Sequence, residues 1–178
     1  MGNRVIRVGI AGGVAGGLIM AAFAMVTMWL VGNGFWTPVN LIAHMIWRSA
    51  PLDGRFSLAA AVIGIVVHLL VAVLFATVIA VGAYRVPGSR SLVVAGGIAF
   101  TAVLWLVMQY GLWRALDAAA ARNFTAWVFA TAHLLFGVVA ASVAAIAVPD
   151  ADAAPPRHVL PRQSAQPDNW FTPSGRGH

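Results

Sequence analysis

The sequence predicts an all-α fold: a four-helix transmembrane bundle built from two tandem, parallel helical-hairpin repeats. Its composition is too apolar for a soluble domain, because 61% of the residues are hydrophobic and 9% are charged, whereas soluble domains carry roughly 25% charged residues. The mean hydropathy is +0.86. A helix needs roughly 20 apolar residues to cross a hydrocarbon core of about 30 Å. Four runs reach that length, at 8–31, 57–84, 92–116 and 124–148.

A duplicated segment is the main observation behind the repeats. His68 opens HLLVAVLFATVIA, and His133 opens HLLFGVVAASVAA. The segments share Leu, Val and Ala at equal offsets, and a small residue, Ala72 or Gly137, stands four positions after each histidine. Small residues at every fourth position form one stripe along a helix, and such stripes allow helices to approach closely in membranes. Each histidine is therefore predicted to face a closely packed neighbouring helix.

The spans that precede the histidine segments also match each other. An Ala-Gly-Gly triplet at 11–13 precedes Trp29 by the same distance at which the triplet at 95–97 precedes Trp113. This match favours a retained first helix over a cleavable signal peptide, whose apolar region is usually roughly 7–15 residues long. Parallel repeats of this kind are related by an axis along the membrane normal. The predicted membrane domain is 1–148, with repeat 1 at about 8–84 and repeat 2 at about 92–148.

Glycines recur along the first span with the spacing typical of helix contacts in membranes. Gly9, Gly13 and Gly17 recur at every fourth position and therefore lie on one row of the helix. The favoured interpretation is close packing of this helix within the bundle. A dimer interface is the alternative.

The first connection between spans is predicted to contain a short helix at 37–48. Thr37 is expected as its N-cap, and Pro38 is expected at the first helical position. The apolar face of this helix would lie in lipid at the outer interface or over the mouth of the bundle. Polar residues recur at every fourth position of the other face, namely Asn40, His44 and Arg48. A solvated face is the favoured interpretation of this strip, and a polar recognition surface is the alternative.

The distribution of arginine orients the predicted bundle. All 11 basic residues are arginines. On the side of the termini lie Arg4, Arg7, Arg85, Arg90, Arg157, Arg162 and Arg176, and in the other two loops lie Arg48, Arg55, Arg114 and Arg122. Because cytoplasmic loops carry the excess of Lys and Arg, we expect both termini in the cytoplasm of a bacterium and the spans in its inner membrane. The proline-rich segment 149–178 is predicted to be a disordered cytoplasmic tail.

Several function classes find no support in the composition. The chain has no cysteine, which excludes disulfides and thiolate metal sites. No cluster of arginines interleaves with aromatic residues, so nucleic-acid binding is not expected. There is no glutamate, and no aspartate lies inside a span, so paired carboxylates for acid–base catalysis are not available. The expectation is a non-enzymatic protein whose partners are the lipid bilayer and either another membrane protein or a second copy of itself.

The two histidines are the candidate ligand site. His68 and His133 lie at similar predicted depths inside their spans, where ionisable groups usually face a bundle interior or a cavity. Three interpretations remain open. The rings pack and hydrogen-bond between helices, which is the favoured one; they ligate a b-type haem or a metal; or they titrate along a proton or substrate path in a small transporter or channel.

The segment GFWTPVNLIAHMIWR, followed by a histidine-bearing span, resembles small four-span bacterial membrane proteins that are themselves uncharacterised. The resemblance covers the first two spans. It implies a location in a bacterial inner membrane and implies no activity, ligand or partner. The sequence thus predicts a multi-pass membrane protein with a structural or accessory role, with haem-mediated electron transfer and transport as the alternatives.

Overall fold

The computed structural model describes residues 2–86 and 88–148 of the chain. Within these residues it contains seven α-helices and one π-helical turn. They are α1 (Gly2–Leu30), α2 (Thr37–His44), α3 (Leu58–Arg85), α4 (Arg90–Val107), the π-turn (Met108–Leu112), α5 (Trp113–Leu116), α6 (Ala118–Asn123) and α7 (Ala126–Ala147). The predicted tail, 149–178, lies outside the described residues.

Four helical segments are long and apolar enough to cross a membrane, which confirms the predicted all-α fold with four candidate spans. They are Gly2–Leu30, Leu58–Arg85, Arg90–Leu116 and Ala126–Ala147. The third of these segments consists of α4, the π-turn and α5. We call the end of the bundle that carries α2 and α6 the loop end, and the opposite end, where α1 begins, the terminal end.

The glycines of α1 allow this helix to contact two neighbours inside the bundle. A Cβ atom at Gly13 would lie 2.4 Å from the Cα of Val73, so α1 and α3 touch backbone to backbone at this point. Gly9 approaches the backbone of α3 in the same way at Thr77, and Gly17 lies against the side chain of Ala72. The adjacent row, Gly12 and Gly16, faces α7 at Ala140 and Phe136. In this chain the glycine rows therefore pack α1 within the bundle.

In each predicted hairpin, the two helices make a close contact at the same position of the repeat. Gly17 of α1 meets Ala72 of α3, and Thr101 of α4 meets Gly137 of α7. These positions are equivalent in the predicted repeat, but the glycine lies on the first helix of one pair and on the second helix of the other. One small residue at each crossing lets the two backbones approach.

The four spans are not arranged evenly about a two-fold axis. Helix α1 packs along both α3 and α7, and α4 packs along α7. The pair that a two-fold axis would make equivalent to α1 and α7 is α3 and α4. These two helices touch little, and an apolar groove of about 390 Å³ lies between them at the terminal end. The tandem repeat therefore stays a prediction.

The helix predicted at 37–48 lies over the bundle, which was one of its two predicted positions, but it ends earlier and lacks the predicted Thr37 cap. It begins at Thr37 after Trp36, and it ends at His44. The Thr37 side chain is not an N-cap; its hydroxyl donates to the carbonyl oxygen of Asn33. The helix packs over the bundle, with Leu41 fully buried. A Cβ at Gly64 of α3 would collide with the carbonyl of Val39, so the glycine lets α2 lie directly on α3.

Candidate functional site

A cavity of about 90 Å³ lies between the spans, extending from the centre of the bundle toward the loop end. Residues from α1, α3, α4 and α7 form its sides, and Ile42 and Met45 contribute from the chain at and just after α2. Much of the wall is aromatic: Phe75, Trp113, Phe124, Phe129 and Phe136. Both candidate histidines, His68 and His133, line this cavity. The fold therefore brings the two sequence-predicted residues to the wall of one cavity.

His68 is held by the neighbouring helix. Its Nε2 lies 2.9 Å from the carbonyl oxygen of Gly17, and because a carbonyl only accepts, Nε2 carries the proton and donates. Gly17 has no side chain at this crossing, and a Cβ there would lie 2.9 Å from the Cβ of Ala72 and 3.6 Å from Nε2 of His68. The glycine thus lets the ring reach the backbone of α1. In the neutral ring, Nδ1 is left as an acceptor.

His133 is held by its own helix instead. Its Nδ1 lies 2.7 Å from the carbonyl oxygen of Phe129, one turn earlier in α7. The proton is therefore on Nδ1, and Nε2 is the acceptor of the neutral ring. The position on α4 equivalent to Gly17 is Thr101, which is fully buried against Gly137. At this position α4 therefore carries a threonine side chain, whereas α1 has the glycine that lets His68 reach the backbone.

Each neutral imidazole therefore has one nitrogen tied to a backbone carbonyl and one lone pair without a protein partner. Within residues 2–86 and 88–148, neither Nδ1 of His68 nor Nε2 of His133 makes a hydrogen bond to another residue. In the same residues, no group of three or more His, Cys, Asp or Glu side chains gathers as a metal cluster. The cavity thus offers two neutral nitrogen acceptors in otherwise apolar surroundings.

Three methionines line the same cavity and were not singled out from the sequence. Met20 comes from α1, Met45 follows α2, and Met108 opens the π-turn. Isolated methionines carry no spacing signal, because they are also common fillers of irregular space in cores. Only the tertiary structure shows that these three thioether side chains share a wall with the histidines.

The π-turn lies directly beside the cavity. The backbone N–H of Trp113 donates to the carbonyl of Met108, five residues earlier, in place of the usual four. Single π-turns inside α-helices are rare and often occur at functional sites. The extra residue changes the register of the helix between two cavity-lining side chains, Met108 and Trp113.

A second polar cluster, the clasp, consists of His44, Arg48 and Asp117 at the loop end. Nδ1 of His44 lies 2.5 Å from Oδ2 of Asp117, and the Arg48 guanidinium lies 2.6 Å from the same oxygen. The other carboxylate oxygen of Asp117 accepts the backbone N–H of Ala120 at 3.0 Å and so caps α6. Arg48 also donates to the carbonyl of Leu116 at 2.7 Å. The clasp joins α2 to the start of α6.

The environment of Asp117 favours its ionised form. Burial raises the pKa of this carboxyl. The bond from the Ala120 amide, the His44 ring and the Arg48 charge lower the pKa, and together they outweigh the effect of burial. The net result is that the pKa of Asp117 lies below its ordinary value of 3.8. The clasp is therefore held by a charged carboxylate at neutral pH.

The strip predicted from Asn40, His44 and Arg48 is not a solvated face. Asn40 is fully buried, and its amide donates to the carbonyl oxygens of Asp53 and Arg55, both at 2.8 Å. His44 is buried as well, and only the Arg48 side chain is largely exposed. The physical reason is that the amide nitrogen of Asn40, the His44 ring and the Arg48 guanidinium find partners in other segments of the chain. No sequence spacing could have paired Asp117 with His44, which is 73 positions earlier.

Comparison of the chain with known proteins identified no relative. No family model, curated protein or solved structure matches the chain.

Proposed function

We propose that this chain is a non-enzymatic multi-pass membrane protein that binds a small ligand inside the membrane, in the cavity between His68 and His133. The four apolar spans support the membrane location, and the cavity lined by both histidines supports the binding site. The cavity has room for several water-sized molecules, since one water needs about 10–15 Å³ by the same measure. The apolar wall would enclose the ligand, and the two free ring nitrogens would orient it.

The bonding of His133 is the observation that carries this proposal. A structural role explains His68, because its bond to Gly17 joins α3 to α1. It does not explain His133, whose bond to Phe129 lies within one helix and joins nothing. An imidazole inside a membrane span costs free energy, and here the part-buried ring lines a cavity. A ligand for the free ring nitrogen accounts for both the ring and the space beside it.

The size of the cavity favours a ligand smaller than haem. Pockets that enclose drug-sized molecules measure roughly 300–1,000 Å³, and this cavity measures about 90 Å³. In addition, the Nε2 of His68 is already bonded to Gly17. We therefore expect no Soret band in the absorption spectrum of the purified protein. A Soret band that disappears in both His68→Ala and His133→Ala would replace this proposal with bis-histidine haem ligation.

Thiol labelling tests whether small solutes reach the cavity. The chain has no cysteine, so single cysteines report on their own positions. Val71 lines the cavity, whereas its neighbour Leu70 is 66% exposed on the outside of the bundle. Only the thiolate reacts with a methanethiosulfonate, and a thiolate forms where water reaches it and not in hydrocarbon. We expect Val71→Cys, but not Leu70→Cys, to react with a small water-soluble methanethiosulfonate in lipid vesicles.

Intact-protein mass spectrometry counts the modified chains over time. The cysteine-free parent is the background control, and equal elution volumes of the two variants show that both are folded. Labelling of Val71→Cys at least about tenfold faster than that of Leu70→Cys supports an accessible cavity. No labelling of Val71→Cys, or equal rates at both positions, would contradict the proposal.

A further inference from the structure

The donor atoms around the cavity are all neutral. Among the described residues that line the cavity, the side chains that carry such atoms are His68 and His133, each with one ring nitrogen free, and three methionines, Met20, Met45 and Met108. From this set we propose that the cavity is a site for a soft monovalent metal ion, Cu(I). This inference rests on the proposed function and names its ligand.

The absence of negative charge on the wall selects for low ionic charge. No Asp lines the cavity, and the carboxylate of Asp117, at the loop end, is already engaged by His44, Arg48 and the amide of Ala120. The cost of taking an ion out of water grows with the square of its charge in a continuum description. With neutral ligands alone, a divalent ion such as Zn²⁺ would keep its full charge in apolar surroundings. A monovalent ion meets a far smaller cost.

The ring nitrogens are prepared for metal binding in the usual way. A histidine that ligates a metal almost always donates its other ring N–H to a carbonyl, a carboxylate or water, which sets the tautomer and the ring orientation. His133 donates through Nδ1 to Phe129 and has Nε2 free, and His68 donates through Nε2 to Gly17 and has Nδ1 free. In both rings, the nitrogen that would not bind the metal therefore already makes the hydrogen bond that is usual for a metal-ligating histidine.

The sulfur atoms select the element. Thioether sulfur is a soft donor that favours Cu(I) over hard ions such as Mg²⁺, while imidazole also suits copper. Because the chain has no cysteine, methionine is the only sulfur donor it can offer. Met20, Met45 and Met108 reach the wall from three separate segments of the chain. That convergence on the space beside two imidazoles matches the mixed nitrogen and sulfur set that Cu(I) accepts.

Copper binding is measured on the full-length protein in lipid nanodiscs. Cu(I) is generated with ascorbate under nitrogen and is offered in competition with bathocuproine disulfonate, whose Cu(I) complex is coloured. We expect the protein to retain about one Cu(I) per chain and no Zn²⁺ under the same conditions. His133→Ala should lower the affinity for Cu(I) by about 100-fold or more, and Met108→Leu by about tenfold.

Met25→Leu is the matched control, because Met25 lies on α1 but does not line the cavity; it should bind Cu(I) like the parent. Since Met108→Leu keeps the side-chain volume, its loss of copper separates ligation from packing. No retained Cu(I), or equal retention by the parent and by His133→Ala and Met108→Leu variants that elute like it, would overturn the inference. If Val71→Cys is labelled while no copper is retained, the copper site fails and the small-ligand cavity stands. If both tests fail, the proposed function fails as well.

Discussion

At the scale of single residues, two histidines that look equivalent in the sequence have different partners. The ring of His68 bonds to the backbone of α1 at Gly17, and the ring of His133 bonds within α7 at Phe129. The facing helices differ at the equivalent position of the predicted repeat, where α1 carries Gly17 and α4 carries Thr101. The His68 ring therefore joins two helices, whereas the His133 ring is held only by its own helix.

The clasp makes a prediction about acid stability. Asp117→Asn keeps a side-chain oxygen that can cap Ala120, but it removes the charge that faces His44 and Arg48. We expect a loss of about 1.5–3 kcal/mol in the free energy of unfolding at pH 7, the range for hydrogen bonds to charged groups. Because the pKa of Asp117 is lower in the folded protein than its ordinary value, this contribution is fully present above the unfolded pKa of about 3.9 and is lost as the pH falls through the folded value.

Thermal unfolding in detergent between about pH 7 and pH 3 measures this effect. The difference between parent and Asp117→Asn should be largest near neutral pH and should shrink below about pH 4. Asp53→Asn is the control: Asp53 also has a lowered pKa, chiefly through its bond to the backbone of Arg55, but its ion pair is exposed and contributes little. A pH-independent difference for Asp117→Asn would show that the carboxylate charge does not hold the clasp.

At the scale of elements, α1 is the central helix of the bundle because its glycines lie on two neighbouring rows. One row contacts α3 and the other contacts α7. Without a hydrophobic effect between helices in lipid, association depends on close packing and on interhelical hydrogen bonds. The glycine of α1 that meets His68 supplies both, since Gly17 allows the close approach and its carbonyl accepts the ring N–H.

Two glycine-to-alanine substitutions separate packing from helix propensity. At Gly13 a Cβ would lie 2.4 Å from the Cα of Val73, whereas at Gly96 of α4 it would meet nothing within 4 Å. We expect Gly13→Ala to destabilise the protein by about 1–3 kcal/mol through overpacking. Gly96→Ala should stabilise it by up to about 1 kcal/mol, because alanine is the better helix former. The unfolding free energy in SDS–detergent mixtures is the measurement, and equal effects of the two substitutions would contradict this account of α1.

At the scale of the whole molecule, the bundle has two chemically different ends. At the loop end lies the clasp, and Ile42 and Met45 line the cavity from this end. At the terminal end lie Arg4 and Arg7 of α1 and the groove between α3 and α4. Arginine content orients membrane proteins with the richer side in the cytoplasm. We therefore propose that the terminal end faces the cytoplasm and that the loop end, with the cavity nearer to it, faces outward.

Cysteine labelling of intact cells tests this orientation. Ser49, after α2, and Ser89, before α4, are both exposed and lie at opposite ends of the bundle. A membrane-impermeant maleimide should label Ser49→Cys from outside, and it should label Ser89→Cys only after the membrane is made permeable. The cysteine-free parent gives the background signal. The reverse pattern would place the cavity nearer the cytoplasmic surface.

The four spans and the two candidate histidines, His68 and His133, could be predicted from the amino-acid sequence alone. The length and apolar character of four runs are local properties, so the observed segments agree with the predicted ones to within a few residues except at the start of α1, which begins at Gly2. The histidines stand out because an ionisable group inside an apolar run is rare. The short helix was also predicted from its Thr-Pro start, although its end and the burial of its polar face were not.

Which distant groups meet could not be predicted from the sequence and is seen in the three-dimensional structure. The clasp joins residues 73 positions apart, the cavity brings methionines from three segments to two histidines, and the His68 ring reaches the backbone of α1 at Gly17. Each of these outcomes depends on how helices cross, and crossing depends on the shapes of both partners. Amphipathic spacing marks which face of a helix is polar. It does not say whether that face meets water or a partner, because a buried donor is satisfied equally well by a distant carbonyl.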